Sequence, residues 1–374
     1  MAGETVGDWL EVLHTRYPSA QAAEWDNPGL QVGDPAWPVE RVLVTLDVTG
    51  EVIAEAAEGP PTLVLAHHPV LFRPLTSLTP ASAAGRTALA AARAGVAVAA
   101  AHTNLDVAQD GTGTSQPIAE VLGLTGVRPL TTETRGGARV KLVTFVPPEA
   151  LEAVIDGVSA AGAGRIGDYE RCTFRVAGTG TFRPTEGADP YSGEGIGHDA
   201  EEDEYRLEVE LPTASIGAVV AALHAAHPYE EVAYDLVPLL DGAEVGFGVV
   251  GSLPASRALS AVAEQLRAEL PAPHLRFAGD PDRQVRQVAA AGGAGDSLIG
   301  AALGVGADVY ITGDLRHHVT LDALEQGLAL IDAGHHATEN AAMPRLRERI
   351  EQDARRRGLS AAVIASRTTT VPWR

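Results

Sequence analysis

The chain has 374 residues, 45% of them apolar but only 5% aromatic, so it exceeds one typical core and must build its interior from Val, Leu, Ile and Ala. Its 28 basic against 49 acidic residues leave a formal charge of −21, a surface that repels phosphate backbones and anionic lipid and so disfavours nucleic acid and membrane as partners. The single cysteine, Cys172, excludes an internal disulfide and any cysteine-built zinc or iron–sulfur site, which leaves His, Asp and Glu to hold any metal.

The N-terminal MAGETVGDWLEVL carries neither a basic n-region nor a continuous apolar stretch, so no signal peptide is expected. No run approaches the roughly 20 apolar residues of a spanning helix, and cytoplasm is the economical address. Residues 5–16 predict a helix, followed by a loop around Trp25, Asp26 and Asn27. A strand at VERVLVTLDV, a helix over 50–58, a strand at TLVLAHH, a helix near 84–94 and a strand at VAVAAAHTNLD come next. Short Val/Leu/Ala runs alternating with helices indicate βαβ units and a largely parallel sheet.

The middle of the chain reads differently. KLVTFVP is a strand, PEALEAVIDGVSAAGAG a helix closed by glycines, and a Gly/Pro/acidic stretch runs from Gly178 to Asp203. The alternating strand YRLEVELP, the helix ASIGAVVAALHAAHP and the segment YEEVAYDLVPL complete a β-α-β-β-α-β order, which suggests a ferredoxin-like or PII-like insert. The acidic run EEDEY reads as a solvated edge. The α/β pattern then resumes with a helix at 256–269, the strand VRQVAAAGG, a helix at 296–305 and the strands DVYITGD and LALIDAG. A helix over roughly 337–357 and a strand near 361–365 end the chain. Residues 1–128 and 244–374 are thus expected to form one discontinuous α/β domain, with 129–243 as an inserted α+β domain.

Seven of the twelve histidines fall in four clusters, each just after an apolar strand: His67 and His68, His102, His317 and His318, and His335 and His336. Ligands of open parallel sheets bind at the carboxyl ends of the strands, so four such clusters are expected to meet on one rim. Carboxylates accompany them at ligand-like spacing. Asp106 follows His102 by four residues, and Glu339 follows His335 by four at a helix start, which puts each pair on one helical face. His67 and His68, being adjacent, point apart and could serve different ions. Taken singly, a His-His pair is more often a surface or helix-end feature, and Asp47 in VTLDVT reads as a helix cap before a ligand. Joint occurrence at strand ends is what favours metal. Nitrogen donors with carboxylates suit Zn, Mn, Fe, Co or Ni.

The blocks WDNPGLQVGDP, VLVTLDVT, AHHPVLF, AAHTNLDVA, ADVYITGD and LIDAGHHATE resemble the Nif3-like dinuclear-metal family, whose bacterial members are often labelled GTP cyclohydrolase 1 type 2 homologues. KLVTFVP, GAGRIGDYERCTF, GTGTFRP and AHPYEEVAYDLVPL resemble its longer branch, with a PII/CutA-like insert. The resemblance implies two divalent ions held by His67, His68, Asp106, His335 and Glu339, with Glu339 bridging, His102 auxiliary, and a toroidal homohexamer. Where the family has Tyr this chain has His336 and His317, and where it often has Gly-Val-Asn the chain has GTGTSQ. The expected chemistry is hydrolysis of a nucleotide or other phosphoester, with His102, His318 or Asp314 relaying protons and Arg73 or Arg316 as candidate phosphate contacts, though each arginine reads first as structural. The alternative is a non-catalytic metal-binding or regulatory assembly.

Overall fold

The computed structural model describes residues 3–108, 110–111, 113–134, 139–167, 169–192, 195–239, 244–270 and 272–373. The chain divides into two compact units, one made of residues 1–133 with 244–374 and the other of 134–243. The end expected for the insert, residue 243, and Thr112 within the GTGTSQ block lie outside the described residues.

The first unit is built on two large sheets. In one, the strands Ala97–Ala100, Thr62–Ala66, Arg41–Thr45 and Ala362–Ala365 run parallel in that order, with Gly29–Val32 antiparallel at the edge. Thr62–Ala66 and Ala97–Ala100 are buried along their whole length. That is why they read as continuous apolar runs, since parallel strands are covered on both faces. Trp9, Leu13, Leu63, Leu65 and Leu346 fill one side, and Leu43, Ile53, Val64 and Val98 the other. Each such Val or Leu contributes about 1.5–3 kcal/mol when fully buried.

The second sheet has the parallel strands Gln284–Ala294, Val309–Gly313 and Ala329–Asp332 at its centre. Arg276–Ala278 pairs antiparallel outside Ala329–Asp332, and Val249–Ala258 followed by Thr125–Pro129 extends the other side. It too is covered on both faces. The single helix expected over 337–357 is two, His335–Asn340 and Met343–Arg356. Pro344 explains the break: it sits in the first turn of the second helix, where its missing N–H is tolerated, and could not continue the first.

The 134–243 unit is a four-stranded antiparallel sheet in the order Tyr234–Pro238, Arg139–Val146, Ala200–Pro212, Thr173–Phe182. Numbered along the chain this is 4-1-3-2, the ferredoxin-like arrangement. Helices Leu151–Ala160 and Ile216–Ala226 pack on one face through Val154, Val158, Val219 and Leu223. The Gly/Pro/acidic stretch Gly178–Asp203 is strand at both ends, because Thr173–Phe182 pairs with Ala200–Val209. The acidic residues 201–204 pair on that side alone, since the neighbouring strand begins its pairing at Tyr205.

Candidate metal centre

His67 and His68 follow directly on Thr62–Ala66, and His102 lies two residues beyond Ala97–Ala100, so three imidazoles stand at the carboxyl ends of neighbouring parallel strands. Asp314 follows Val309–Gly313, and His335 opens the short helix after Ala329–Asp332. These two come from the other sheet. The expectation of one rim is therefore corrected: the carboxyl ends of two sheets supply the groups.

Four imidazoles share one arrangement. Nδ1 of His67 meets the Ala101 carbonyl at 2.9 Å, Nδ1 of His68 meets Asp47 Oδ1 at 2.7 Å, Nδ1 of His102 meets Asp26 Oδ1 at 2.7 Å, and Nδ1 of His335 meets Asp314 Oδ2 at 2.8 Å. An oxygen here accepts, so each Nδ1 carries a proton, and Nε2 is the atom that can offer a lone pair once it is free of one. That is the state in which imidazole binds metal, with the outer oxygen fixing the ring.

The Nε2 atoms of three of these rings gather around Glu339, which is 4% exposed. Its Oε2 lies 3.1 Å from His68 Nε2 and 3.0 Å from His335 Nε2, and those two nitrogens are 3.3 Å apart. Its Oε1 lies 3.6 Å from His67 Nε2, which is 3.6 Å from Asp106 Oδ1. Two donor triangles result, His68/His335/Glu339 and His67/Asp106/Glu339, sharing the carboxylate; His67, His68 and His102 form a third close group. Bonds of about 2.0–2.1 Å place neighbouring donors of one ion about 3.0–3.4 Å apart. The first triangle has those edges; the second is slightly wider.

By its side chains alone the centre is frustrated. His67 Nε2 and Glu339 Oε2 are buried without a hydrogen-bond partner of proper geometry among the described residues. Lone pairs facing one another at 3.3 Å need a proton or a cation between them. Burial alone would lower the His68 and His335 pKa values, yet the neighbouring carboxylates of Asp47, Glu339 and Asp314 raise them to about 10 and about 9. His67 is likewise raised against its burial, by Asp106 and Glu339. Burial would raise Glu339, but the surrounding imidazoles hold it well below the usual carboxylate range. Asp106 goes up, from burial and then from Glu339. The donor set fits divalent cations.

Local sequence explains the cradle. Gly293 has φ +68°, and a Cβ there would run into the Glu339 carboxylate, so the residue beneath the bridge must be glycine. Asp314 also has positive φ, +57°, a non-glycine residue held there while it grips His335. Asp106 Oδ1 accepts from Thr114 Oγ1 at 2.5 Å.

Two aspartates were not singled out as partners in the sequence. Asp47 does not cap the helix Gly50–Ala57; Thr49 does, accepting from the Val52 N–H, and Asp47 instead grips His68 and accepts from Thr370 Oγ1 at 2.5 Å. Asp26 accepts from His102 and from Thr103 Oγ1, 2.5 Å away, and these bonds bring its pKa to about 2 against its burial. Among the described residues, His317 and His318 join none of the close donor groups; both are exposed at the start of helix His317–Glu325. Arg316 is paired with Asp296, and Arg73 is exposed. His336 lines a cleft of about 740 Å³ together with His68, His335, Val371 and Trp373.

The Duf34/NIF3 (NGG1p interacting factor 3) family profile matches residues 4–372. A protein of Halalkalibacterium halodurans named GTP cyclohydrolase 1 type 2 homolog is 38% identical over 99% of this chain and 98% of its own. One of the same name from Bacillus subtilis is 42% identical over 90% of each. The crystal structure of a Bacillus cereus protein related to NIF3 superposes with TM-score 0.70 at 36% identity, covering 100% of this chain and 99% of that one. With a family match over nearly its whole length and relatives of this similarity, the chain belongs to the DUF34/NIF3 family.

Proposed function

We propose that the chain is a hydrolase dependent on two divalent metal ions, held by His67, His68 and His335 with Asp106, and bridged by Glu339. The observation that carries this reading is the shared carboxylate: its two oxygens face two separate donor triangles whose imidazoles all present Nε2. Bound there, the ions would supply Lewis acidity and lower the pKa of an adjacent water. The chain's own groups supply the rest. The cleft lined by His68 and His335 gives a substrate access to the centre, with Val371 and Trp373 also in its lining. Asp314 is committed to His335, so it orients a ligand rather than relaying protons. His102 has Nδ1 fixed by Asp26, which leaves Nε2 to exchange a proton. His318 has no part in this scheme. The name carried by the relatives supports a nucleotide as the first substrate to try.

The test is to load the purified protein with Zn, Mn, Fe, Co or Ni in turn and assay nucleotides and phosphoesters, with Glu339→Ala as control. Turnover by the wild type that Glu339→Ala abolishes is expected. Tight stoichiometric metal without turnover on any of them would overturn the hydrolase and favour a non-catalytic metal-binding or regulatory assembly.

A further inference from the structure

We propose that the 134–243 unit carries a binding site for a small organic ammonium ion, on the face of its sheet opposite the two helices. A cavity of about 450 Å³ lies there, lined by Phe145, Phe182, Tyr191 and Tyr229 together with Glu204 and Glu230. The size suits a small ligand. The Tyr191 and Tyr229 rings stand 5.4 Å apart, tilted by 44°.

Both phenol hydroxyls are committed. Tyr229 donates to Glu204 Oε1 at 2.9 Å, and Tyr191 donates to Glu149 Oε1 at 2.5 Å. What remains for a ligand is aromatic surface and carboxylate oxygen, and both attract positive charge. Glu231 adds a third carboxylate to the lining, and among the described residues no Lys or Arg lines the cavity. The unit already uses one of these rings in this way, since the Arg206 guanidinium sits 6.0 Å from the centroid of Phe145. A bare metal ion is the wrong occupant: among the described residues, none of the close His/Asp/Glu groups lies in this unit, so converging donors are missing. Aromatic rings and carboxylates in one lining suit a cation that is apolar at its surface, as a methylated or alkyl ammonium is.

The probe is tetramethylammonium, which cannot coordinate the metal centre, titrated calorimetrically into the full-length metal-loaded protein. Saturable binding of one ion per chain is expected, with neopentyl alcohol, a neutral compound of similar shape, failing to bind. Glu204→Gln and Tyr229→Leu should each weaken binding by about tenfold while circular dichroism is unchanged. Phe182→Leu serves if Tyr229→Leu does not fold. Glu58→Gln, an exposed carboxylate in the other unit, should leave binding unchanged. Absence of saturation, equal binding of the neutral alcohol, or equal weakening by Glu58→Gln would overturn the site and leave only the general attraction of a −21 surface for cations.

Discussion

Replacing Asp47 by Ala should weaken one metal position and spare the other. Asp47 holds His68 through Nδ1 at 2.7 Å, and His68 belongs to the donor triangle with His335 and Glu339 Oε2. Without the carboxylate the ring is free to turn, its tautomer is no longer fixed, and Nε2 becomes less basic. Loss of such an outer partner typically costs 10–100-fold in metal affinity, about 1.4–2.7 kcal/mol. The Asp47 side chain is 34% exposed, so water can take over part of its hold, and the expectation lies nearer tenfold. Asp47→Asn keeps an oxygen that can accept from Nδ1–H and should cost only a fewfold. The triangle of His67, Asp106 and Glu339 Oε1 should be unaffected, because His67 is held by the Ala101 backbone carbonyl, which no side-chain substitution removes. Chelator competition on metal-free variants, with circular dichroism for folding, resolves the two positions. Equal weakening of both, or Asn as damaging as Ala, would refute the orienting role.

Glu339→Ala should release both ions, since its oxygens serve both triangles, whereas His335→Ala should lose one, and His336→Ala should change metal content little; elemental analysis of the three proteins separates these outcomes, and loss of metal by His336→Ala as complete as by Glu339→Ala would make His336 a ligand. The pH dependence has opposite signs for fold and for metal. In the metal-free protein His68 and His335 are raised to about 10 and about 9, so their stabilising contribution is complete below the ordinary imidazole value of 6.5 and is lost as pH rises through 9 to 10, which urea melts at pH 7 and pH 10 would show. Metal must displace those two protons, so apparent affinity at that position should rise by up to roughly hundredfold per pH unit between about pH 7 and 9; an affinity flat with pH would contradict the protonated metal-free state. The proposed ring of six, at −21 per chain, should appear near six chains by light scattering in physiological salt and loosen as salt is withdrawn, and a monomer at micromolar concentration would exclude it.

Much of the centre was legible because its parts are local. Thr62–Ala66 is buried throughout, so it reads as an apolar run, and the histidines that follow it stand out against it. Glu339 and His335 share a helical face by spacing alone, and the structure sets them 3.0 Å apart. What was not legible depends on residues far apart in the chain. Asp26 and His102 are 76 positions apart, and nothing in the loop around Trp25 marks its aspartate as a partner for an imidazole. Asp47 stands just ahead of a helix, where an aspartate is also a good cap; only the neighbouring Thr49, equally suited, shows that the role was taken. Thr173–Phe182 is largely exposed and pairs on one side, so it lacks the alternation that reveals a half-buried strand. Membership of two different sheets is a matter of pairing, which a strand's own residues do not state.

The charges explain why these groups tolerate one another. Asp106, half-buried, and the buried Glu339 flank the same imidazole, His67; each makes the other harder to ionise, and Asp106 is the one driven up. Glu339 stays ionised because the imidazoles around it lend positive charge, which in the metal-free protein means protons on His68 and His335. Two divalent cations would replace that charge where it is needed and let Asp106 ionise as well. Asp47, Asp26 and Asp314 sit one bond further out, each fixing a ring and adding negative charge that a protonated imidazole only partly offsets. An arrangement of five carboxylates around four imidazoles is over-supplied with negative charge for a protein that binds nothing there, and it is balanced once metal replaces the protons.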